Sequence, residues 1–131
     1  MTAMREIKFR GLRADGIWEY GDLYTVPEKG WTLIRNRVDG ERFFVRPETV
    51  GQFTGIKDIT GADIYESDIV SFKDDETDEH VRGLVTQSVE GTWWVVCNEF
   101  RVPLWNVRKT TLIMNNVYDN PELLEADDAR D

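Results

Sequence analysis

Three dipeptides govern how this chain can fold: Asp15-Gly16, Asp39-Gly40 and Glu90-Gly91. Each stands between two runs rich in β-formers. Glycine supplies the positive φ that a type I′ turn requires, so each pair predicts a tight hairpin. Ile7-Lys8-Phe9-Arg10 alternates apolar and basic residues, the pattern of a half-buried strand, and residues 17–24 return against it. Val26-Pro27-Glu28-Lys29-Gly30 reads as a loop. Residues 31–35 then form a strand, and Phe43-Phe44-Val45 comes back across Asp39-Gly40 as a second hairpin. Arg46-Pro47-Glu48-Thr49-Val50 predicts one helical turn, started by Pro47 and ended by Gly51.

The stretch 47–70 carries three glycines, Gly51, Gly55 and Gly61, between apolar anchors that include Phe53, Tyr65 and Ile69. It reads as the joint between two lobes, with Pro47, Gly51, Phe53, Gly55, Gly61, Tyr65 and Asp68 as its structural residues. Residues 52–55 form a short strand and 57–61 a turn. Residues 62–68 form a second turn that delivers 69–72 into a strand. The acidic segment 73–80 is a loop between strands, and 82–87 and 92–97 pair across Glu90-Gly91. Trp93, Val95 and Cys97 point one way, and Trp94 and Val96 the other. Apolar residues on both faces predict a strand covered on both sides, or buried on one face by a partner. Pro103 makes 103–107 an edge strand or loop. Residues 110–118 close the β-rich region. Asn120 and Pro121 begin a short helix over 120–126, followed by an acidic tail. The fold class is therefore mainly β: N-terminal β-hairpins (1–60), a C-terminal SH3-like small barrel (61–119), and short helical turns with a tail (120–131). The SH3-like barrel is expected from the order strand, acidic loop, strand, tight turn, strand, short connection, strand.

Composition narrows the function classes. The net charge is -9, with 25 acids against 16 bases, which disfavours sequence-independent coating of nucleic acid. The single cysteine, Cys97, cannot form an internal disulfide. No apolar run reaches a membrane span, and the first residues lack an apolar signal region, so a cytoplasmic protein without a membrane partner is expected. The loop acids Asp74, Asp75, Glu76, Asp78 and Glu79 have no glycine to make the sharp turn of a calcium loop. One histidine, His80, and one cysteine do not make a zinc site. A Cys97–His80 nucleophile pair is disfavoured because Cys97 lies in an apolar strand. Glu48, Asp63, Glu66 and Asp68 read as turn and cap residues before they read as an acid/base pair. No phosphate-binding or hydrolase motif is present. The expectation is a non-enzyme without metal or cofactor.

Binding is the remaining class. Bases concentrate in the first third, at Arg5, Lys8, Arg10, Arg13, Arg35, Arg37, Arg42 and Arg46, near Trp18, Tyr20 and Trp31. Such a mixture can hold phosphates and stack bases. Trp93 and Trp94 are the candidates for contact with another protein.

The residues 47–58, then Gly61, then Ile64-Tyr65-Glu66-Ser67-Asp68-Ile69-Val70, resemble the YopX family of bacteriophage and prophage proteins. Ile7-Lys8-Phe9-Arg10, Trp18 with Gly21, and residues 117–124 fit the same resemblance, in order and spacing. Ser67 stands where such proteins commonly carry Gly, and Phe53 where Tyr is common. The resemblance implies a phage or prophage origin and a largely β fold with an SH3-like part. It implies no activity and no catalytic residues. Three functions follow as expectations. The first is an accessory protein acting through protein contacts, with a host factor or with itself, in the cytoplasm of the bacterial host. The second is a nucleic-acid-binding small barrel. The third is an acidic DNA mimic built on the 74–79 loop and the tail.

Overall fold

In the computed structural model, which describes residues 6–124, the chain is mainly β and forms two compact units, residues 1–55 and 56–131. The boundary expected at 60/61 falls inside the turn that follows β5, described below.

The first unit grows from the predicted hairpins. β1 (Phe9–Leu12) pairs antiparallel with β2 (Trp18–Val26), with Arg10 opposite Tyr20 and Leu12 opposite Trp18. Its turn is closed by the Gly16 N–H donating to Arg13 O at 3.0 Å. A 3₁₀ turn over Pro27–Lys29 leads into β3 (Trp31–Arg35), which pairs with β2. β4 (Arg42–Phe44) returns on β3 after the Asp39-Gly40 turn. β5 (Gly51–Lys57) begins in this unit and lies on the free side of β1, giving the order β4-β3-β2-β1-β5. Gly21 permits a close approach between β2 and β3. A Cβ there would lie 1.9 Å from the carbonyl oxygen of Arg35, and its φ is +154°. Pro47–Thr49 forms the expected turn as one turn of 3₁₀ helix. The Thr49 hydroxyl accepts from Leu12 N at 2.9 Å and donates to Arg46 O at 2.6 Å, which ties this turn to the end of β1. Leu12, Leu33, Ile34, Val45 and Phe53 are the buried apolar residues of the unit.

In the second unit the end of β5 turns over residues 58–62 into β6 (Asp63–Tyr65). Beyond it a five-stranded antiparallel sheet has the order β10-β9-β8-β7-β11. β7 (Asp68–Lys73), β8 (His80–Gln87), β9 (Trp93–Val96) and β10 (Arg101–Pro103) run as a meander. A single helical turn, α1 (Leu104–Val107), precedes β11 (Leu112–Asn116), which pairs back on β7 with a bulge between Ile113 and Asn115. Among the described residues no pairing of β10 with β11 closes this sheet. Ile64, Val70, Phe72, Val85, Trp93, Val95 and Leu104 form one apolar core. At Gly83 any Cβ would meet Val95 at 2.5 Å, so the core is packed directly against the β8 backbone.

Four local expectations are corrected. The helical turn ends at Val50, and Gly51 opens β5 instead, because the Val50 N–H already closes the turn on Pro47 O. Residues 63–65 are a strand rather than part of a turn. The following reversal is compressed into Glu66-Ser67, with Ser67 at φ +74° and the Asp68 carboxylate accepting from Tyr65 N at 2.8 Å. Residues 104–107 are helical, with Leu104 fully buried and the Thr111 hydroxyl donating to Val107 O at 2.8 Å. Of the two alternatives for β9, coverage of both faces within the chain is the one overturned: Trp93 and Val95 are core, while Val96 is exposed. The C-terminal helix is seen at 122–124; the rest of that segment and the acidic tail lie outside the described residues.

Candidate functional site

Strand register decides which side chains share a face. In the first unit, residues paired directly across β4, β3 and β2 form rows. One row holds Phe44, Leu33 and Tyr24, and the next holds Arg42, Arg35 and Asp22. Beyond these, Tyr20 stands opposite Arg10, and Trp18 opposite Leu12. At the other end Trp31 stands opposite Val26. Successive rows are about 6.8 Å apart, two residues of antiparallel strand. The face therefore runs aromatic, aromatic, basic, aromatic, aromatic along the strands.

Four of these rings face water. Tyr20 is 47% exposed, Tyr24 43%, Trp31 42% and Phe44 58%, while Leu33 between them is buried. Trp31 and Phe44 meet edge to face at 5.4 Å and 89°. Cations sit on the rings: Lys29 Nζ is 4.7 Å from the Trp31 centroid and the Arg42 guanidinium 4.9 Å from Tyr24. Arg10, buried, lies 4.7 Å over Trp18. Asp22 is the acid of the basic row and pairs with Arg37 at 2.7 Å and Arg35 at 3.7 Å. The rings hold the cations, and the cations keep the face from reading as a plain apolar patch.

Of the predicted binding residues, Trp18, Tyr20 and Trp31 are thus brought together on one face. Trp93 is not at any surface; it is a core residue of the second unit. Trp94 lies on the outer face of β9 with the Arg101 guanidinium 3.8 Å over its ring, and its indole Nε1 is buried with no hydrogen-bond partner among the described residues. Tyr24, Phe44 and Lys29 belong to the face but escaped sequence reasoning. The signal was present for Tyr24: Trp18, Tyr20 and Tyr24 fall at even spacing in one strand, and even spacing means one face.

The carboxylates of the central stretch have local partners. Asp63 lies 2.6 Å from Lys57 Nζ, and Asp68 holds the Tyr65 amide. Asp58, not singled out as a site residue in the sequence, is the most engaged. Its Oδ1 accepts from Thr60 N at 2.8 Å, Thr60 Oγ1 at 2.6 Å and Ala62 N at 3.1 Å. Its Oδ2 accepts from Ile113 N at 3.0 Å. Burial acts to raise its pKa, but the hydrogen bonds from Ile113, Thr60 and Ala62 outweigh burial and hold it below the ordinary carboxylate value. The 74–79 acids close on themselves in one loop, with Asp74 Oδ1 accepting from Glu76 N and Asp78 paired to Lys73 at 2.9 Å. His80 opens β8 opposite Lys73, while Cys97 lies against Gly83, three residues further along that strand. Among the described residues no group of three or more His, Cys, Asp and Glu side chains is placed to hold a metal ion.

Two antiparallel sheets, one with an exposed aromatic and basic face, and no long helix among the described residues define a mainly β protein. The chain belongs to the YopX protein family, whose family model matches residues 8–125. No curated protein matches the chain.

Proposed function

We propose that this chain is a non-enzymatic accessory protein of phage or prophage origin, working in the host cytoplasm by binding a partner on the outer face of its N-terminal sheet. The observation that carries the reading is the set of four exposed rings, Tyr20, Tyr24, Trp31 and Phe44, in register with Arg35 and Arg42. Exposed Trp, Tyr and Arg are the residues that dominate binding energy at interfaces. A strand face that exposes four rings on a protein with this much charge calls for an occupant. The earlier basis for a protein-binding role, Trp93 beside Trp94, loses half its support because Trp93 is core. The second unit takes the SH3-like reading: a four-strand meander, one helical turn and a fifth strand returning to the first have that connectivity.

The test is retention of a host component by the immobilised protein, compared with Trp31→Ala and Phe44→Ser variants. The variants should stay folded and lose retention. Variants that bind like the parent would place the working surface elsewhere.

A further inference from the structure

We infer that the occupant of the N-terminal sheet face is a single-stranded nucleic acid, its bases stacked on Trp31, Tyr24, Phe44 and Tyr20 and its phosphates held by Arg42, Lys29 and Arg35. The inference rests on the binding role proposed above and names the partner class. Three observations lead to it. First, the face alternates by row: rings, then the Arg42–Arg35 row, then rings again. A single strand presents flat bases and anionic links in alternation, and stacking on aromatics with backbone charge contacts is the way such strands are held without sequence preference. Second, the charge is local. Residues 1–55 carry nine Lys and Arg against eight Asp and Glu, and residues 56–131 carry seven against seventeen. The unit that bears the aromatic face is the one that does not repel phosphate. Third, two of the three cations already rest on exposed rings, Lys29 on Trp31 and Arg42 on Tyr24. A base that takes the cation's place on the ring leaves that cation beside the base's own phosphate.

Competing occupants fit less of the face. An acidic peptide satisfies Arg42 and Lys29 but leaves four rings without a stacking partner. A duplex keeps its bases stacked on each other, out of reach of a flat sheet, and its doubled charge density meets a protein of net charge -9.

The experiment is fluorescence anisotropy of labelled oligothymidylate and oligoadenylate of about 15 nucleotides, within the span a small β-domain covers. A duplex of equal length and a polyglutamate peptide serve as competitors. Both single strands should bind at low salt, and neither competitor should displace them at equal charge. Trp31→Ala should weaken binding about 5- to 150-fold, the loss of one stacked base. Arg42→Gln should lower the slope of log K against log salt by about 0.7, one phosphate contact. Both variants are checked for parental circular dichroism, and Val89→Ser, at an exposed residue of the second unit, serves as the control that should bind unchanged. Failure of both oligonucleotides at low salt overturns the inference, as does equal or tighter binding of duplex or polyglutamate. If the oligonucleotides fail but Trp31→Ala still loses the host component, the nucleic-acid assignment falls and the binding face stands.

Discussion

Asp58 is one carboxylate with four donors around it, and its position tells what the glycine-marked central stretch is for. It fastens the 58–62 turn to β11, 55 residues away in sequence. Asp58→Asn keeps the shape but removes the charge from this cluster and should cost about 1.5–3 kcal/mol, read by urea unfolding at pH 7. The pH dependence has a definite sign. The folded pKa is depressed, so the stabilisation is complete above the unfolded value of about 3.9 and disappears as pH falls through the folded value. The gap between parent and Asp58→Asn should therefore narrow in that acid range and stay constant from pH 5 to 8. Ser67 gives the opposite case. It holds φ +74°, a conformation that costs a side chain about 1 kcal/mol. Ser67→Gly should raise stability by about 0.5 kcal/mol, because glycine's extra freedom in the unfolded chain returns part of the gain. The two tryptophan sites separate in the same assay. Trp93→Ala empties a core position and should cost about 3–5 kcal/mol. Trp31→Ala removes only an edge-on ring contact and a cation, about 1–2 kcal/mol.

At the scale of elements, hairpins with a glycine in the turn were legible because the turn residue and the flanking alternation agree. Asp15-Gly16, Asp39-Gly40 and Glu90-Gly91 each reverse the chain where expected. Three-residue elements were not legible. β6 is too short to show alternation, and what holds its end is the carboxylate of Asp68, a contact made only after the chain has turned. α1 follows a proline that reads equally well as the end of a strand, and its helical form is decided by burial of Leu104 in the core. The aromatic face was half legible. Trp18, Tyr20 and Trp31 stood close in sequence, but Phe44 and Arg42 join them only through the register of β3 with β4. Two glycines, one in a strand and one in a turn, give a further prediction. Gly21→Ala drives a methyl into the carbonyl of Arg35 and should cost several times the roughly 1 kcal/mol of an ordinary glycine replacement at positive φ. Gly61→Val, at φ +91° with open space around it, should cost only the backbone strain, about 1–2 kcal/mol. Thermal melts of the two variants side by side distinguish steric from conformational loss.

For the whole molecule, acidic charge is divided unevenly, with seventeen of the 25 acids in residues 56–131. The acids of the 74–79 loop contribute to a field that opposes approach of any polyanion. Replacing Asp74, Asp75 and Glu76 by their amides should speed oligonucleotide association severalfold at low salt. It should have almost no effect near 1 M, where the screening length is about 3 Å. The topology of the second unit has another consequence, for synthesis. The hairpins of the first unit join near neighbours, so they can form as they emerge. β7, with four of its six residues buried, has its second partner in β11, whose Leu112 pairs with Ser71. At about 5–20 residues per second, the ribosome needs roughly 2–8 s to travel between them. Throughout that interval Val70 and Phe72 have Ile64, β8, β9 and then Leu104 to pack on, but the β7 edge that receives β11 stays open. The nascent chain is most exposed to aggregation and to chaperones in that window, which closes when Leu112 and Ile113 arrive.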